Sequence, residues 1–174
     1  MSVNSSTRLN DVDLGAVTGL VTAIQDHPEV ANTTWSAEVH WMGGFRSEAH
    51  VREFAPLPSD EPSALGGTDS APNPVEQLLG SLGNCLAVGY AANASVAGIV
   101  LRDLRIELSG DVDLHTFLGL REGHAGFEGI RVSVHIDSDA SPEAVHALHA
   151  KVIGSSPVGH TLSQAIPLEI DLAD

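Results

Sequence analysis

Cys85 is the residue of this 174-residue chain best suited to covalent chemistry, because it is the only cysteine. A single cysteine cannot form an internal disulfide, so its thiol is either a small core residue or a reactive group. A reactive thiol works as the thiolate, and an apolar setting disfavours that charged form. A catalytic Cys85 therefore needs a cation or a strong hydrogen-bond donor brought to it from another part of the chain.

Arg46 occupies the best-defined position among the 8 basic residues that could supply this cation. It lies two residues after Gly43-Gly44, a dipeptide that predicts a tight turn between two strands. Glu76 is a carboxylate candidate, and it lies nine residues before Cys85, about 180° round a straight helix. The two side chains would point apart within one helix, so capping of the helix start is the favoured role of Glu76.

Nine histidines raise the question of a metal site. His146 and His149 have the i, i+3 spacing of one helix face, but no partner sits at a ligand spacing around them, so a solvated helix face is expected. Asp111, Asp113 and His115 would share one strand face and could bind a cation, and an exposed polar face explains them equally well. The sequence contains no glycine-rich phosphate loop and no Gly-x-Ser-x-Gly elbow. It therefore predicts no metal and no cofactor.

The composition limits the classes of partner. Hydrophobic residues make up 43% of the chain, and 23 acidic residues against 8 basic ones give a formal net charge of -15. Nucleic acid and anionic membrane are poor partners for such a surface. The amino terminus has no apolar run after its charge, and no apolar run is long enough to span a membrane. A soluble, cytoplasmic protein is expected.

The segment from Asn73 to Tyr90 has the pattern of a central helix. Asn73 can cap it, Pro74 suits the first helical position and Glu76 the third, so three consecutive signals agree on where the helix begins. Apolar or small side chains recur at helical spacing along one face: Leu78, Leu82, Cys85, Leu86 and Gly89. Because the other faces carry mainly small residues, neighbouring backbones can approach closely. The sequence predicts that Cys85 lies deep in the protein.

The patterns on either side of this helix predict an α+β domain with an antiparallel sheet. The predicted order is a disordered tail at 1–9, a helix at 11–24, a hairpin at 35–41 and 45–54, a long loop at 55–73, the cysteine helix, one bent strand or two short ones at 104–114, a strand at 130–136, a helix from 141, a short helical turn at 158–165 and a final strand at 168–172. No linker divides the chain, so residues 1–174 are expected to form a single domain.

The chain contains four informative motifs: Leu65-Gly66-Gly67-Thr68-Asp69, the run from Asn73 to Cys85, Gly110-Asp111-Val112-Asp113, and Ser156-Pro157-Val158. Together they resemble the OsmC/Ohr family of osmotically inducible and organic-hydroperoxide-resistance proteins, over roughly residues 33–172. The resemblance implies an α+β protomer with a central cysteine helix, an intertwined homodimer and sites at the subunit interface. The Asp-Glu-Pro stretch and residues 1–32, a tail and helix extension, resemble the broader OsmC-like branch.

The resemblance also assigns roles to individual residues. Cys85 matches the nucleophile that attacks the peroxide. Arg46 resembles the arginine that activates the nucleophile, shifted by one residue, and Arg52 is the reserve assignment. Glu76 resembles the activating glutamate, which in the Ohr enzymes lies one position further upstream, where this chain has Val75.

The main departure from the family is at Ser156, which stands before Pro157 where the family has a second cysteine. The leading hypothesis is therefore a thiol-dependent peroxidase that reduces organic hydroperoxides through Cys85 alone, with an external thiol clearing the sulfenic acid. Ser156 would then belong to the site without forming a disulfide. The alternative is a non-enzymatic OsmC-like domain that binds a small apolar ligand or serves as a dimeric scaffold.

Overall fold

The computed structural model of the chain describes residues 8–173, which group into two compact units, one of residues 15–80 and one of residues 8–14 and 81–173. The strands are β1 (Arg8–Leu9), β2 (Val12–Asp13), β3 (Glu38–Gly43), β4 (Arg46–His50), β5 (Leu57–Ser59), β6 (Leu101–Val112) and β7 (Phe127–Ser138). The helices are α1 (Leu14–Asp26), α2 (Pro74–Val96), α3 (Leu114–Phe117), α4 (Pro142–Ile153) and α5 (Pro157–Ser163). All sheet pairs are antiparallel, which confirms the α+β class.

The unit of residues 15–80 is built on the predicted hairpin. Strands β3 and β4 pair across a turn in which Gly43 and Gly44 have φ angles of 97° and 62°, values that favour glycine. Strand β4 ends at His50, earlier than predicted, and Arg52 follows in the left-handed region with a φ of 50°. Strand β5 was missed, because Pro58 within 55–73 indicated a loop. Proline is tolerated there because β5 pairs with β4 only and is an edge strand.

The segment after β5 is organised by Asp60, a carboxylate that is only 1% exposed. Its oxygens accept five hydrogen bonds, from the amide of Glu61 at 2.8 Å, the amide and hydroxyl of Thr68 at 3.1 and 2.5 Å, and the amide and hydroxyl of Ser70 at 3.1 and 2.9 Å. The Thr68 hydroxyl, followed by the other donors, holds the pKa of Asp60 well below its ordinary value of 3.8. A side chain at Gly67 would place a Cβ 1.8 Å from the Glu61 carbonyl oxygen, so this segment closes on itself.

Asp60→Asn is expected to destabilise the protein at neutral pH, because an amide cannot accept hydrogen bonds from all five donors. The folded-state pKa is lowered, so the stabilisation by the carboxylate is complete above its unfolded pKa near 3.8 and is lost as the pH falls through the lower folded value. The difference in urea midpoint between parent and variant should be largest at pH 7 and shrink in acid. Asp69→Asn, an exposed position in the same segment, is the matched control and should leave the midpoint unchanged. Equal midpoints for parent and Asp60→Asn at pH 7 would contradict this role.

The second predicted hairpin is formed by β6 and β7, two strands of 12 residues each. Strand β6 is continuous, and its pairing with β7 has two irregularities, one between Leu101 and Asp103 and one between Asp111 and Val112. The connection contains α3, one turn of helix that the sequence did not predict. Asp113 caps this turn by accepting from the His115 amide at 3.0 Å, a bond that lowers the pKa of Asp113 to about 2.

The possible cation site at Asp111, Asp113 and His115 does not form. Asp111 pairs with Arg131 at 2.8 Å, whereas Asp113 contacts His115 and Arg121, both at 2.5 Å. Within residues 8–173, no group of three or more histidine, cysteine or acidic side chains is placed to hold a metal ion. These polar groups neutralise one another on the surface.

Helix α2 is confirmed and extends beyond its predicted pattern to Val96. Its start is a reciprocal cap, in which the Asn73 side chain accepts from the Glu76 amide and the Glu76 carboxylate accepts from the Asn73 amide, both at 2.9 Å. Its buried side chains pack with those of α4 in one core of Leu82, Leu86, Tyr90, Ala94, Leu148 and Val152. The predicted close approaches are present, since a Cβ at Gly83 would lie 2.8 Å from Leu108 and one at Gly89 would lie 3.0 Å from Val152.

The ends of the chain differ from the predictions. The proposed tail at 1–9 lies outside the described residues except for Arg8 and Leu9, which form β1. Helices α1, α4 and α5 confirm the three other predicted helical segments. The final strand is not formed, and Leu168, Ile170 and Leu172 are 79, 84 and 100% exposed. Alternation alone does not make a strand, since its backbone needs a neighbouring strand to pair with.

None of the described helices is long and apolar enough to span a membrane.

Candidate functional site

The thiol of Cys85 lies in the middle of α2 and contacts a residue 71 positions further along the chain. Its Sγ is 3.3 Å from the Oγ of Ser156, the residue that precedes α5. Cys85 is half-buried, not deep in the protein as its apolar helix face predicted. We call Cys85 and Ser156 the thiol site. Cys85 is therefore less enclosed than the core residues of α2.

Ser156 is 5% exposed and is held in place as the N-cap of α5. Its Oγ accepts a hydrogen bond from the Gly159 amide at 3.1 Å. Because that bond uses Oγ as an acceptor, the hydroxyl hydrogen remains available to donate to the sulfur of Cys85. Ser156 is thereby positioned as a hydrogen-bond donor to the sulfur of Cys85.

A cavity of about 440 Å³ is lined by Ser156 but not by Cys85, so it meets the thiol site at Ser156. Its other lining residues come from α2, β7, α4 and the α5 region: Leu82, Leu86, Tyr90, Val132, Val134, His149, Ile153, Gly159, His160, Ser163 and Gln164. The residues from α2 are buried, whereas His160, Ser163 and Gln164 are exposed. The cavity therefore has an apolar floor and a polar mouth.

Tyr90 and His149 form a hydrogen-bonded pair in the wall of this cavity. The Tyr90 hydroxyl contacts Nδ1 of His149, and the tyrosine is fully buried. Burial raises the pKa of Tyr90, so its phenol is neutral at pH 7. The sequence assigned both His146 and His149 to a solvated face, and the structure corrects this for His149, which is half-buried. The i, i+4 spacing between the half-buried Val145 and His149 is the helical signal that could have found this difference.

The remaining predicted site residues lie in the unit of residues 15–80, and each has a local partner there. Arg46 is exposed and donates from Nε to the Gly43 carbonyl at 3.3 Å. Arg52 places its guanidinium 4.6 Å from the centre of the Phe54 ring. Glu76 takes part in the cap of α2, as its position in the sequence indicated. Cys85 and Ser156 are the two predicted site residues that the structure brings into contact.

Comparison with known proteins gives a consistent family and fold. A family model described as OsmC-like protein matches residues 67–171. No curated protein sequence matches the chain. An OsmC-like protein from Mycoplasma pneumoniae has 18% identity and a TM-score of 0.66, over 76% of this chain and 89% of that one.

Two further solved structures are named for hydroperoxide resistance. The organic hydroperoxide resistance protein OsmC from Legionella pneumophila has 20% identity and a TM-score of 0.58, over 75% of this chain and 91% of that one. A protein from Vibrio cholerae named for organic hydroperoxide resistance, with captopril bound in one of its active sites, has 16% identity and a TM-score of 0.52, over 76% and 87% of the two chains. At these identities the likeness is one of fold.

Proposed function

The chain belongs to the OsmC-like protein family, and from that membership we propose that it is a thiol-dependent peroxidase that reduces organic hydroperoxides through Cys85. The observation that carries the proposal is the thiol site, where the half-buried sulfur lies 3.3 Å from a buried hydroxyl that also lines a cavity of about 440 Å³. This arrangement supplies a nucleophile, a hydrogen-bond donor and space for an organic group. The names of the two hydroperoxide-resistance neighbours support the same substrate class.

The proposed reaction begins with attack of the Cys85 thiolate on one peroxide oxygen. The O–O bond breaks, its electron pair leaves with the organic oxygen, and that oxygen takes up a proton to become an alcohol. Cys85 is oxidised to a sulfenic acid. An external thiol then condenses with the sulfenic acid, releasing water and forming a mixed disulfide. A second external thiol attacks that disulfide and restores Cys85.

Ser156 sets this reaction apart from one that uses two cysteines. A hydroxyl cannot form a disulfide with the oxidised sulfur, so the reductant must come from outside the protein. Instead, the Ser156 hydroxyl is proposed to stabilise negative charge on sulfur through its 3.3 Å contact. A cytoplasmic location, which we also propose, would supply abundant small thiols.

The family resemblance supports the proposal that Arg46 and Glu76 activate Cys85, with Arg52 as the reserve for Arg46. Loss of an activating cation should lower the fraction of thiolate, so Arg46→Met should slow alkylation of Cys85 by iodoacetamide at pH 7. Arg52→Met is the matched control and should leave the rate unchanged. The reverse result would transfer the role to Arg52.

The proposed function is tested by treating the protein with cumene hydroperoxide and measuring its intact mass. A peroxidase should gain one oxygen atom, form an adduct when dimedone is present, and consume the hydroperoxide continuously when dithiothreitol is added. A protein that gains no oxygen and consumes no hydroperoxide is not a peroxidase. That result would favour the second candidate, a non-enzymatic domain that binds a small apolar ligand or acts as a dimeric scaffold. The cavity with its apolar floor supports the ligand-binding version of this candidate.

We further propose that the protein is a homodimer. Large apolar side chains are exposed in both units, including Trp35 at 78%, Trp41 at 76% and Ile170 at 84%. Exposed apolar area of this extent is typical of a surface that associates with another chain. Light scattering at micromolar concentration should give twice the 18.1 kDa mass of one chain. A monomeric mass at that concentration would refute the proposal.

A further inference from the structure

We infer that the cavity beside the thiol site binds a small organic molecule with an apolar body and a neutral hydrogen-bond acceptor, and that Nε2–H of His149, fixed by Tyr90, is the donor that recognises this acceptor. Where the bound molecule is a hydroperoxide, the inference rests on the proposed function. The binding itself does not require Cys85 to react. A volume of about 440 Å³ lies within the range of small-molecule sites, about 300–1,000 Å³.

The first step concerns the proton between Tyr90 and His149. Tyr90 is 0% exposed, and in the described part of the chain His149 is its one hydrogen-bond partner. If His149 were the donor, the phenol hydrogen would be buried without an acceptor, which is energetically costly. The neutral phenol therefore donates, and Nδ1 of His149 accepts.

The second step follows from the chemistry of imidazole. A neutral ring carries one proton, so a histidine that accepts at Nδ1 holds its proton at Nε2. His149 lines the cavity, and no described residue is bonded to its Nε2. The Tyr90 contact thus selects the tautomer of His149 that offers an N–H donor to a molecule in the cavity.

The third step identifies the ligand class. Leu82 and Leu86 form an apolar floor, so most of a bound molecule must be apolar. Tyr90 follows Cys85 by five residues in α2, which is a rise of about 7.5 Å along the helix axis. The phenol of Tyr90 and the thiol site are therefore separate positions on that helix. A net charge of -15 disfavours an anionic group, so a carbonyl or ether oxygen fits the His149 donor better than a carboxylate does.

The test compares acetophenone with α-methylstyrene, two molecules of nearly equal shape of which only the ketone has a strong acceptor. Binding is measured by NMR titration of the full-length Cys85→Ser variant, so that no reaction of the thiol contributes. Acetophenone should bind about three- to tenfold more tightly, as expected for one hydrogen bond between neutral groups. His149→Leu should abolish this preference, and His149→Gln, which keeps an N–H donor, should restore part of it. His146→Leu removes an exposed histidine of the same helix and should retain the full preference.

A second measurement uses the parent protein with ¹⁵N-labelled histidine. The inference requires His149 to be protonated at Nε2 and unprotonated at Nδ1. A proton at Nδ1, equal affinities for the two probes, or binding of neither probe would overturn it. Failure of the peroxidase proposal can be distinguished from failure of this inference. A parent protein that consumes no cumene hydroperoxide but binds acetophenone more tightly than α-methylstyrene would refute the peroxidase and leave the inference standing.

Discussion

Replacing Cys85 by serine is expected to reduce hydroperoxide consumption to the background rate of the reagents. A serine hydroxyl is not ionised at neutral pH and cannot form a sulfenic acid, so both the nucleophile and the oxidised intermediate are lost. The fold should persist, because the two side chains are similar in size and position 85 is half-buried. Consumption of cumene hydroperoxide with dithiothreitol as reductant measures the effect.

The control for this variant is Ser155→Ala, which removes an exposed hydroxyl bonded to the Lys151 carbonyl and not to the thiol. It should consume hydroperoxide at the parent rate. Urea unfolding of all three proteins shows whether each is folded. Turnover retained in a folded Cys85→Ser protein would rule out chemistry through this residue.

Ser156→Cys is expected to form a disulfide between positions 85 and 156 when the protein is treated with hydroperoxide. The parent side chains are in contact, with 3.3 Å between Sγ of Cys85 and Oγ of Ser156, so a small side-chain rotation could bring the two sulfur atoms of the variant to the disulfide bond length of about 2.05 Å. A sulfenic acid at Cys85 would be captured by the new thiol before a second peroxide could oxidise it further. In the parent, excess peroxide should inactivate the protein by forming sulfinic acid. In the variant the yield of sulfinic acid should fall severalfold.

Non-reducing peptide mapping distinguishes the two outcomes. Ser155→Cys is the matched control, because it introduces a thiol one residue away at an exposed position and should form no disulfide with Cys85. If Cys85 in the Ser156→Cys variant becomes a sulfenic acid without forming the disulfide, the two positions do not meet in solution. The peroxidase proposal would survive that result, but the role of Ser156 in the site would not.

The elements that follow from local patterns were predicted well. The Asn73 and Glu76 cap fixed the start of α2, and Ser141, whose hydroxyl accepts from the Ala144 amide, fixed the start of α4. Alternation located both hairpins, although in β3 the side chains of both faces are exposed. The contact of Cys85 with Ser156 followed from family motifs, and no spacing rule would have found it.

Apart from the locally capped turn α3, the features that were missed depend on pairing that local periodicity does not encode. Strand β5 exists because β4 offers an edge, which compensates for the poor strand propensity around Pro58. The expected strand at 168–172 has the right alternation but no neighbouring strand among the described residues. The Tyr90 and His149 pair joins residues 59 positions apart, and periodicity carries no information about such pairs.

Residues 165–173 belong to no helix or strand and carry the exposed side chains of Ile166, Leu168, Ile170 and Leu172. An extended apolar segment of this kind can pair with any similar segment and so begin aggregation. Glu169 and Asp171 lie within it, and the whole chain carries a net charge of -15, so at neutral pH two such segments repel each other. The part of that repulsion that comes from the net charge is lost near the isoelectric point of about 4.7. The colloidal stability of an isolated chain is therefore set by its charge and not by the strength of its fold.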